Sequence, residues 1–200
     1  EIYNEKVTYE NPLLSLRVFH SIRDFEWITN WHYHKELEIL LVLEGSLEVY
    51  VEEEFYSLKS GDLILIGAAQ LHRDRSYKNS SLSYIVLQFD IQQYFDQNTM
   101  QYMRYFSHPK RPLSHLNNIV LNNSEVKKQL VDCTEQIFKE SEQKDEGYEI
   151  AVNILIKQMI LTLIRNDKDK LLNRGDDFDM LRMKPVLDYI EANIDGKVLV

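Results

Sequence analysis

Cysteine, proline and glycine are scarce in this sequence of 200 residues. A single cysteine, Cys133, excludes an internal disulfide framework and is typical of a reducing compartment, so we expect a cytoplasmic location. Four prolines and six glycines leave no low-complexity or collagen-like tract, and no repeat of fixed period is visible. The composition therefore indicates one globular domain, or one domain with an appendage.

Long apolar runs and a secretory signal are also missing. The longest apolar run, from Ile39 to Leu43, is far shorter than the roughly 20 residues of a transmembrane helix, so we expect no membrane partner. The first residues lack the basic patch and apolar run of a signal peptide. They also lack an initiator methionine, and we therefore expect an excised fragment.

Excess basic charge and the common catalytic motifs are absent too. The formal net charge is −9, which argues against DNA binding by these residues alone, because a polyanion is bound by clustered lysine and arginine. No GxSxG turn, phosphate-binding loop, CxxC pair or Ser-His-Asp order is present. We therefore expect that the chain is not an enzyme.

The first half of the chain has the patterning of β-strands. Leu47, Val49 and Val51 alternate with polar neighbours, which is the period of a half-buried strand. We place a turn near Ser21 to Asp24. The other predicted strands lie at residues 14–19, 36–43, 55–58, 63–66 and 82–89. Short strands at this close spacing predict an antiparallel sandwich or barrel.

In the second half the apolar period becomes helical, after one or two short helices within residues 91–106. A helix is predicted from Asn123 onward, with Ser124 as its N-cap. After Gly147 a second helix, from Tyr148 to Arg165, is apolar around almost its whole circumference. Such a helix must be buried on more than one side. One side can pack on the preceding helix, and the other needs either the barrel or a partner chain, of which we favour the partner chain of a homodimer. A polar linker at 168–179 and a third helix near Pro185 follow.

The stretch from Trp31 to Glu38 contains the candidate site. His32, His34 and Glu38 share one face of an extended strand, because side chains at i, i+2 and i+6 point the same way. His72, from a neighbouring strand, is a candidate fourth group. Two or three histidines and a carboxylate are a common ligand set for Zn, Fe or Mn, although the same groups also suit a polar pocket without metal.

Further residues near this stretch are candidates for ligand contacts. Trp31 and Tyr84 offer aromatic faces on which a sugar ring stacks, and Arg17 offers a donor fork for an acidic ligand. Glu36 joins the face of His34 and Glu38 if the strand has no bulge, and two carboxylates there would favour a cation or a cationic ligand. Each of these side chains also has an ordinary alternative role in the core or in surface ion pairs.

The spacing of these residues resembles a known family. His32, His34, Glu38 and Gly45 match the first cupin motif, and Gly61, Gly67 and His72 resemble a degraded second motif, in which Gly67 replaces the usual proline and Ala69 the usual glycine. The segments at 38–47 and 56–66 are similar to the sensor domain of AraC-type regulators. Residues 184–194 resemble the first helix of the AraC-type DNA-binding domain.

The resemblance implies a mainly β plus α fold: a cupin-like double-stranded β-helix, or jelly-roll barrel, followed by an antiparallel helical pair. It implies an effector-binding barrel at 1–110, a helical dimerisation region and linker at 111–182, and the first helix of a truncated helix-turn-helix domain at 183–200. By resemblance, His32, His34, Glu38 and His72 occupy the metal-ligand positions of the barrel.

The function implied by the resemblance is effector sensing and dimerisation in a bacterial transcription regulator. The barrel would bind a small metabolite, for example a sugar, and DNA would be bound only by residues beyond Val200. We expect no cofactor other than the candidate divalent metal. The alternative is a metal-dependent cupin enzyme, an isomerase or dioxygenase, in which the same four residues would hold the metal.

Overall fold

The computed structural model describes residues 2–76, 81–106 and 113–173, together with Tyr189. Its strands are β1 (Tyr3–Asn4), β2 (Leu16–Arg23), β3 (Trp27–Ile28), β4 (His32–Tyr33), β5 (Leu37–Glu44), β6 (Ser46–Val51), β7 (Glu54–Lys59), β8 (Leu63–Ile66), β9 (His72–Ser76) and β10 (Leu82–Phe89). Its α-helices are α1 (Asn117–Asn122), α2 (Ser124–Gln143) and α3 (Tyr148–Asn166). Short 3₁₀ helices lie at Ile91–Tyr94, Met100–Tyr105, Leu113–Leu116 and Leu171–Asn173.

The strands form two facing sheets. In the first sheet the order is β1-β4-β9-β6-β7, with β3 also paired to β9, and in the second it is β2-β10-β5-β8. The strand pairs are antiparallel, apart from the parallel pair of β1 and β4. Residues of both sheets share one hydrophobic cluster, which fills the space between them. This confirms the predicted fold: a cupin-like jelly-roll barrel followed by a helical pair.

The second sheet is buried on both faces. In β5, Leu40 and Val42 belong to the cluster inside the barrel, whereas Ile39 and Leu41 belong to the cluster shared with the helices. A strand covered on both sides reads as a continuous apolar run instead of alternating. This double burial explains why the longest apolar run of the chain forms a strand.

The two long helices agree with the predicted ranges to within a residue or two, but the first cap is different. Asn123 is the extended residue before α2, and its Oδ1 accepts hydrogen bonds from the N–H groups of Glu125 and Val126. The prediction of Ser124 as N-cap is therefore wrong by one position, because the asparagine carries the side-chain oxygen where the backbone is still extended.

The structure corrects one further boundary and leaves another outside its range. The predicted turn near Ser21 to Asp24 is wrong, because β2 continues to Arg23 in register with Leu82 of β10. Two 3₁₀ helices occupy part of 91–106, as predicted. The predicted third helix and the range 183–200 lie outside the described residues, apart from Tyr189.

Helix α3 keeps an apolar stripe on its outer side. It buries Val152 and Ile156, yet Ile150 is 68% exposed, Ile154 60% and Leu161 44%. Those three residues recur at helical spacing, so they lie along one face. Among the described helices, none is long and apolar enough to cross a membrane.

A buried asparagine ties the helical region to the barrel. The Oδ1 of Asn117 accepts from the N–H of Leu65 at 2.7 Å, and its Nδ2 donates to the carbonyl of Leu65 at 2.9 Å. Asn117 is fully buried at the start of α1, while Leu65 lies in the edge strand β8. One side chain thus satisfies both backbone groups of a buried edge residue, which would otherwise be costly to bury.

We predict that Asn117→Ala lowers the free energy of unfolding by about 2–5 kcal/mol, because it leaves two buried backbone groups without partners. Urea unfolding measures this change. Asn122→Ala, an exposed change in the same helix, is the matched control and should cost less than about 0.5 kcal/mol. Equal costs for the two variants would contradict the proposed role of Asn117.

Candidate functional site

A row of polar side chains crosses the inner face of the second sheet. Gln88 of β10 is paired directly with Arg17 of β2 on one side and with Glu38 of β5 on the other. Directly paired residues point to the same face of a sheet, and here that face is the barrel interior. The Nη1 of Arg17 donates to Gln88 at 3.3 Å, and Nε2 of Gln88 donates to Oε2 of Glu38 at 2.7 Å.

The first sheet contributes the histidines. His32 of β4 and His72 of β9 are directly paired, so their rings lie side by side with centroids 4.1 Å apart. The chain then bends at Lys35 and Glu36 and crosses to the second sheet. His34, at this crossing, has its ring centroid 5.0 Å from that of His72. The site is therefore assembled from both sheets by one short segment.

Two of these histidines, His34 and His72, lie beside the carboxylate of Glu38. Nε2 of His34 is 3.2 Å from Oε2 of Glu38, and Nε2 of His72 is 3.6 Å from Oε1. All four residues, His32 included, are buried. The predicted set of His32, His34, Glu38 and His72 is thus brought together inside the barrel.

A backbone carbonyl fixes the orientation of each imidazole. The Nδ1 of His32 donates to the carbonyl of Asn30 at 2.8 Å, and that of His72 donates to Gln70 at 2.8 Å. The Nδ1 of His34 donates to Glu36 at 3.1 Å. With its proton on Nδ1, each ring directs Nε2 toward the shared centre, as metal-binding histidines do.

Burial and charge act in opposite directions on these groups. Burial by itself would lower the pKa of His34, but the hydrogen bond and the charge of Glu38 outweigh it and raise the pKa. Burial would likewise raise the pKa of Glu38, yet its hydrogen bond with His34 and the charge of His72 hold that pKa low. For His72 burial prevails and lowers the pKa. A positive charge beside the Glu38 carboxylate is therefore favoured.

The geometry fits a divalent cation. The candidate ligand atoms of His32, His34 and His72 all lie within 4.8 Å of one another. Nε2 of His72 is buried and has no hydrogen-bond partner among the described residues. Three inward nitrogens next to a carboxylate are the donors that Zn, Fe and Mn accept.

Sequence reasoning missed three residues of this site. Gln88 connects Arg17 to Glu38, and only the strand register identifies it, since no motif contains it. Glu5 lies 3.5 Å from Arg17 and 3.9 Å from Nε2 of His32. Tyr3 stacks on the ring of His32, with centroids 5.5 Å apart. Both come from the segment at β1, which pairs with β4 and was not predicted as a strand.

The other predicted residues are distributed over different faces. Tyr84 is buried inside the barrel, where burial raises its pKa to about 12. Trp31 belongs to the outer face of the first sheet, because its neighbour His32 points inward. There its ring lies 4.7 Å from the guanidinium of Arg73, which also covers Tyr50 at 4.8 Å. Trp31 is therefore not close to the inward-facing groups.

The departures from the second cupin motif have a structural reason. A Cβ at Gly67 would lie 2.8 Å from Oε1 of Gln70 and 3.1 Å from the backbone nitrogen of Leu113. The Gln70 side chain accepts from the N–H of Gly67 and donates to Ser114 at 3.0 Å. This turn thus packs tightly against the helical region, while the carbonyl of Gln70 holds His72.

The raised pKa of His34 gives a prediction about pH. A raised histidine pKa contributes stability that is fully present below the unfolded value near 6.5 and is lost as the pH rises through the folded value. His34→Gln should therefore cost more unfolding free energy at pH 5.5 than at pH 8.5, in urea unfolding with EDTA present. In a Glu38→Gln background this pH trend should become much weaker, since Glu38 contributes most to raising the pKa of His34, ahead of Glu5 and Glu36. A trend of undiminished size in Glu38→Gln would contradict this explanation.

Comparison with known proteins agrees with this architecture. The model of the AraC-like ligand binding domain matches residues 18–160. An uncharacterized HTH-type transcriptional regulator, YdeC, from Bacillus subtilis (strain 168) is 24% identical over 168 residues, which are 84% of this chain and 57% of the relative. The chain thus spans somewhat over half the length of that relative.

Two solved structures are similar in part. A cupin-like protein from Thermotoga maritima has 24% identity and a TM-score of 0.39 over 44% of this chain and 66% of that chain. The DMSP lyase DddQ from Ruegeria pomeroyi DSS-3 has 23% identity and a TM-score of 0.35 over 38% of this chain and 39% of that chain.

The family model extends from β2 into α3, so it includes both the barrel and most of the helical pair. It covers well over half of the residues. The chain belongs to the AraC-like ligand-binding domain family.

Proposed function

We propose that this chain senses a small polar effector inside its barrel and forms dimers through its helical pair, as part of an AraC-type transcription regulator. One observation carries the proposal. The polar row Arg17–Gln88–Glu38 of the second sheet faces His32 and His72 of the first, inside a barrel whose outer side is covered by helices. An effector there would contact the same sheet that the helices pack against.

The proposed effector site consists of Arg17, His32, His34, Glu38 and His72, with Gln88 and Tyr84 beside them. These groups offer both donors and acceptors, and a hydroxyl-rich solute such as a sugar needs both. We leave Trp31 out of this set, because it lies on the outer face next to Arg73. The effector can shift the regulator only if it binds one arrangement more tightly than the other.

A divalent metal is compatible with this site. His32, His34 and His72, with Glu38, are the residues that would hold it. A bound metal would supply a Lewis-acid contact for an oxygen of the effector. The protein's own part is to orient these groups: three backbone carbonyls fix the imidazoles, and Gln88 holds Glu38.

The surroundings of these residues also keep open the alternative of a metal-dependent cupin enzyme. The anchored Nδ1 atoms favour the bound metal that such an enzyme would need, since metal-ligating histidines donate their other ring N–H to a carbonyl or carboxylate. We nevertheless propose a sensor without enzymatic activity, because the family is defined by ligand binding and its match includes the helices.

For the whole protein we propose three parts: the barrel at 1–110, the helical region and linker at 111–182, and the start of a helix-turn-helix domain at 183–200. The relative from Bacillus subtilis is described as an HTH-type regulator and is longer than the matched region. We propose that DNA is bound by residues after Val200, in the cytoplasm, and not by this acidic part.

The proposed dimer contact is the outer stripe of α3. Ile150, Ile154, Lys157 and Leu161 follow one another at spacings of four, three and four residues, as the inward positions of a coiled coil do. Near its two ends the helix carries Glu149 and Arg165. We propose that two copies pack antiparallel, because this orientation brings the acidic end of one helix to the basic end of the other.

We predict that Ile154→Asp converts a dimer into a monomer, because it places a charge at the centre of an apolar contact. Sedimentation equilibrium measures the mass directly. Ile22→Asp, at a residue 57% exposed compared with 60% for Ile154, is the matched control and should leave the mass unchanged. A dimer that persists in Ile154→Asp would refute this interface.

Metal content distinguishes the sensor from the enzyme. If the site binds an organic effector without metal, elemental analysis of protein purified without chelator should find less than about 0.1 Fe, Mn or Zn per chain. A sugar should then raise the melting temperature, since a ligand stabilises the state that binds it. A stoichiometric metal that is lost in His34→Ala, together with turnover of a substrate, would favour the enzyme.

A further inference from the structure

A leucine side chain projects from the surface beside the first turns of α3. Leu13 is 89% exposed, and it borders a surface cavity whose other walls include Glu149, Ile150, Asn153 and Ile154 of the helix. Ile150 and Ile154 belong to the outer stripe of α3 and are themselves more than half exposed. Leu13 therefore extends this apolar stripe sideways, from the helix onto the turn before β2, and contiguous exposed apolar surface marks an interaction site.

Hydrogen bonds on both sides hold this leucine in place. The Oδ1 of Asn11 accepts from the N–H of Leu13 at 2.9 Å, and its Nδ2 donates to the hydroxyl of Tyr148, the first residue of α3, at 2.6 Å. The hydroxyl of Tyr94 donates to the carbonyl of Leu14 at 2.6 Å. An exposed apolar side chain on a fixed turn loses little freedom when a partner covers it, so Leu13 is suited to insertion into a partner.

The second half of α3 borders a larger apolar hollow, which we call the C-terminal cavity. Its volume is about 480 Å³, which is ample for a leucine side chain. Most of its walls are apolar or aromatic: Tyr94, Phe95, Tyr102, Ile160, Leu161 and Ile164. Such walls favour an apolar occupant, because their contact with it removes apolar surface from water.

The cavity beside Leu13 and the C-terminal cavity open on the same side of the outer stripe. Glu149 and Asn153 line the first of them, and Ile160 and Ile164 line the second. These four residues follow one another at spacings of four, seven and four, so they lie along one line of the helix. The midpoint between the two cavities along α3 lies within about one residue, or roughly 1.5 Å, of the middle of the outer stripe.

We propose that Leu13 of each copy inserts into the C-terminal cavity of the other copy in the antiparallel dimer. The inference rests on the proposed dimer and adds its specific contact. A two-fold axis at the middle of the outer stripe brings the first half of one α3 against the second half of the other and keeps the same side of both helices together. Each Leu13 then meets a cavity, and Glu149 beside it meets Arg165, which lines that cavity and has the opposite charge.

The alternative parallel pairing does not produce this contact. Its two-fold axis runs along the helices, so the two Leu13 turns would lie on opposite sides of the pair, and neither would face a C-terminal cavity. The shared side of the two cavities therefore selects the antiparallel pair.

Sedimentation equilibrium of Leu13→Ala tests the contact. The dissociation constant of the dimer should rise about 100-fold or more, because each dimer loses two inserted leucine side chains. Leu13 is exposed in the single chain, so the variant should keep its fold, which circular dichroism checks. Ile22→Ala, at a residue 57% exposed on β2, is the matched control and should leave the dissociation constant unchanged.

Cross-linking tests which cavity receives the leucine. Leu13→Cys and Ile164→Cys, prepared as separate proteins and mixed under mild oxidation, should form a disulfide-linked dimer. Each variant alone should not, because a disulfide needs Cα atoms within about 7 Å and the axis separates identical positions further. Cys133 is 3% exposed and should stay reduced. Glu53→Cys, at an exposed turn between β6 and β7, is the control partner for Ile164→Cys and should give no cross-link.

Two results would overturn this contact and leave the dimer itself in place. In the first, Leu13→Ala dimerises as tightly as the wild type although Ile154→Asp is a monomer. In the second, Leu13→Cys cross-links to Ile164→Cys no more than Glu53→Cys does. Another occupant, such as a small apolar molecule, would then fill the C-terminal cavity. A wild-type chain that stays monomeric would instead refute the proposed dimer and this contact together.

Discussion

The negative charge of Glu38 inside the barrel is the constraint on which the site depends. A buried carboxylate is tolerated only when donors and positive charge surround it, and the fold provides them from both sheets. Gln88 of the neighbouring strand and His34 both contact its Oε2, and His72 lies beside its Oε1. The raised pKa of His34 and the lowered pKa of Glu38 are two consequences of the same contact. A proton or a metal ion can occupy the position between these groups.

The second sheet connects this charge to the rest of the molecule. Its inner face carries the polar row, and its outer face packs against the helices, so each strand takes part in both environments. A second connection runs through the turn at Gly67 to Gln70. The carbonyl of Gln70 holds His72, and its side chain reaches Ser114 in front of α1. The barrel and the helical region are therefore joined by a packed core and by specific hydrogen bonds.

His34 has a special place, because its two ring nitrogens face two different carboxylates. Nε2 lies beside Glu38 in the barrel, and Nδ1 lies beside Glu36. The bend at Lys35 and Glu36 creates this arrangement, since an unbroken strand would have put both carboxylates on one side of the ring. The sequence pattern left open whether Glu36 joins the face of Glu38, and the bend decides that it does not.

Much of the fold and part of the site could be predicted from the sequence by itself. Strand and helix periods identified most elements, and the spacing of His32, His34, Glu38 and His72 identified four groups that converge, because local patterns and family motifs are properties of neighbouring residues.

The tertiary structure alone decided the rest. Gln88 and Glu5 reach the site because strands pair whose partner residues are 50 and 29 positions apart in the sequence, respectively. Trp31 lies on the outer face of the barrel because packing fixes which side of the strand faces inward. Asn123 caps α2 because packing keeps its backbone extended just before the helix begins. No local pattern contains such information, since register and burial arise only when distant segments meet.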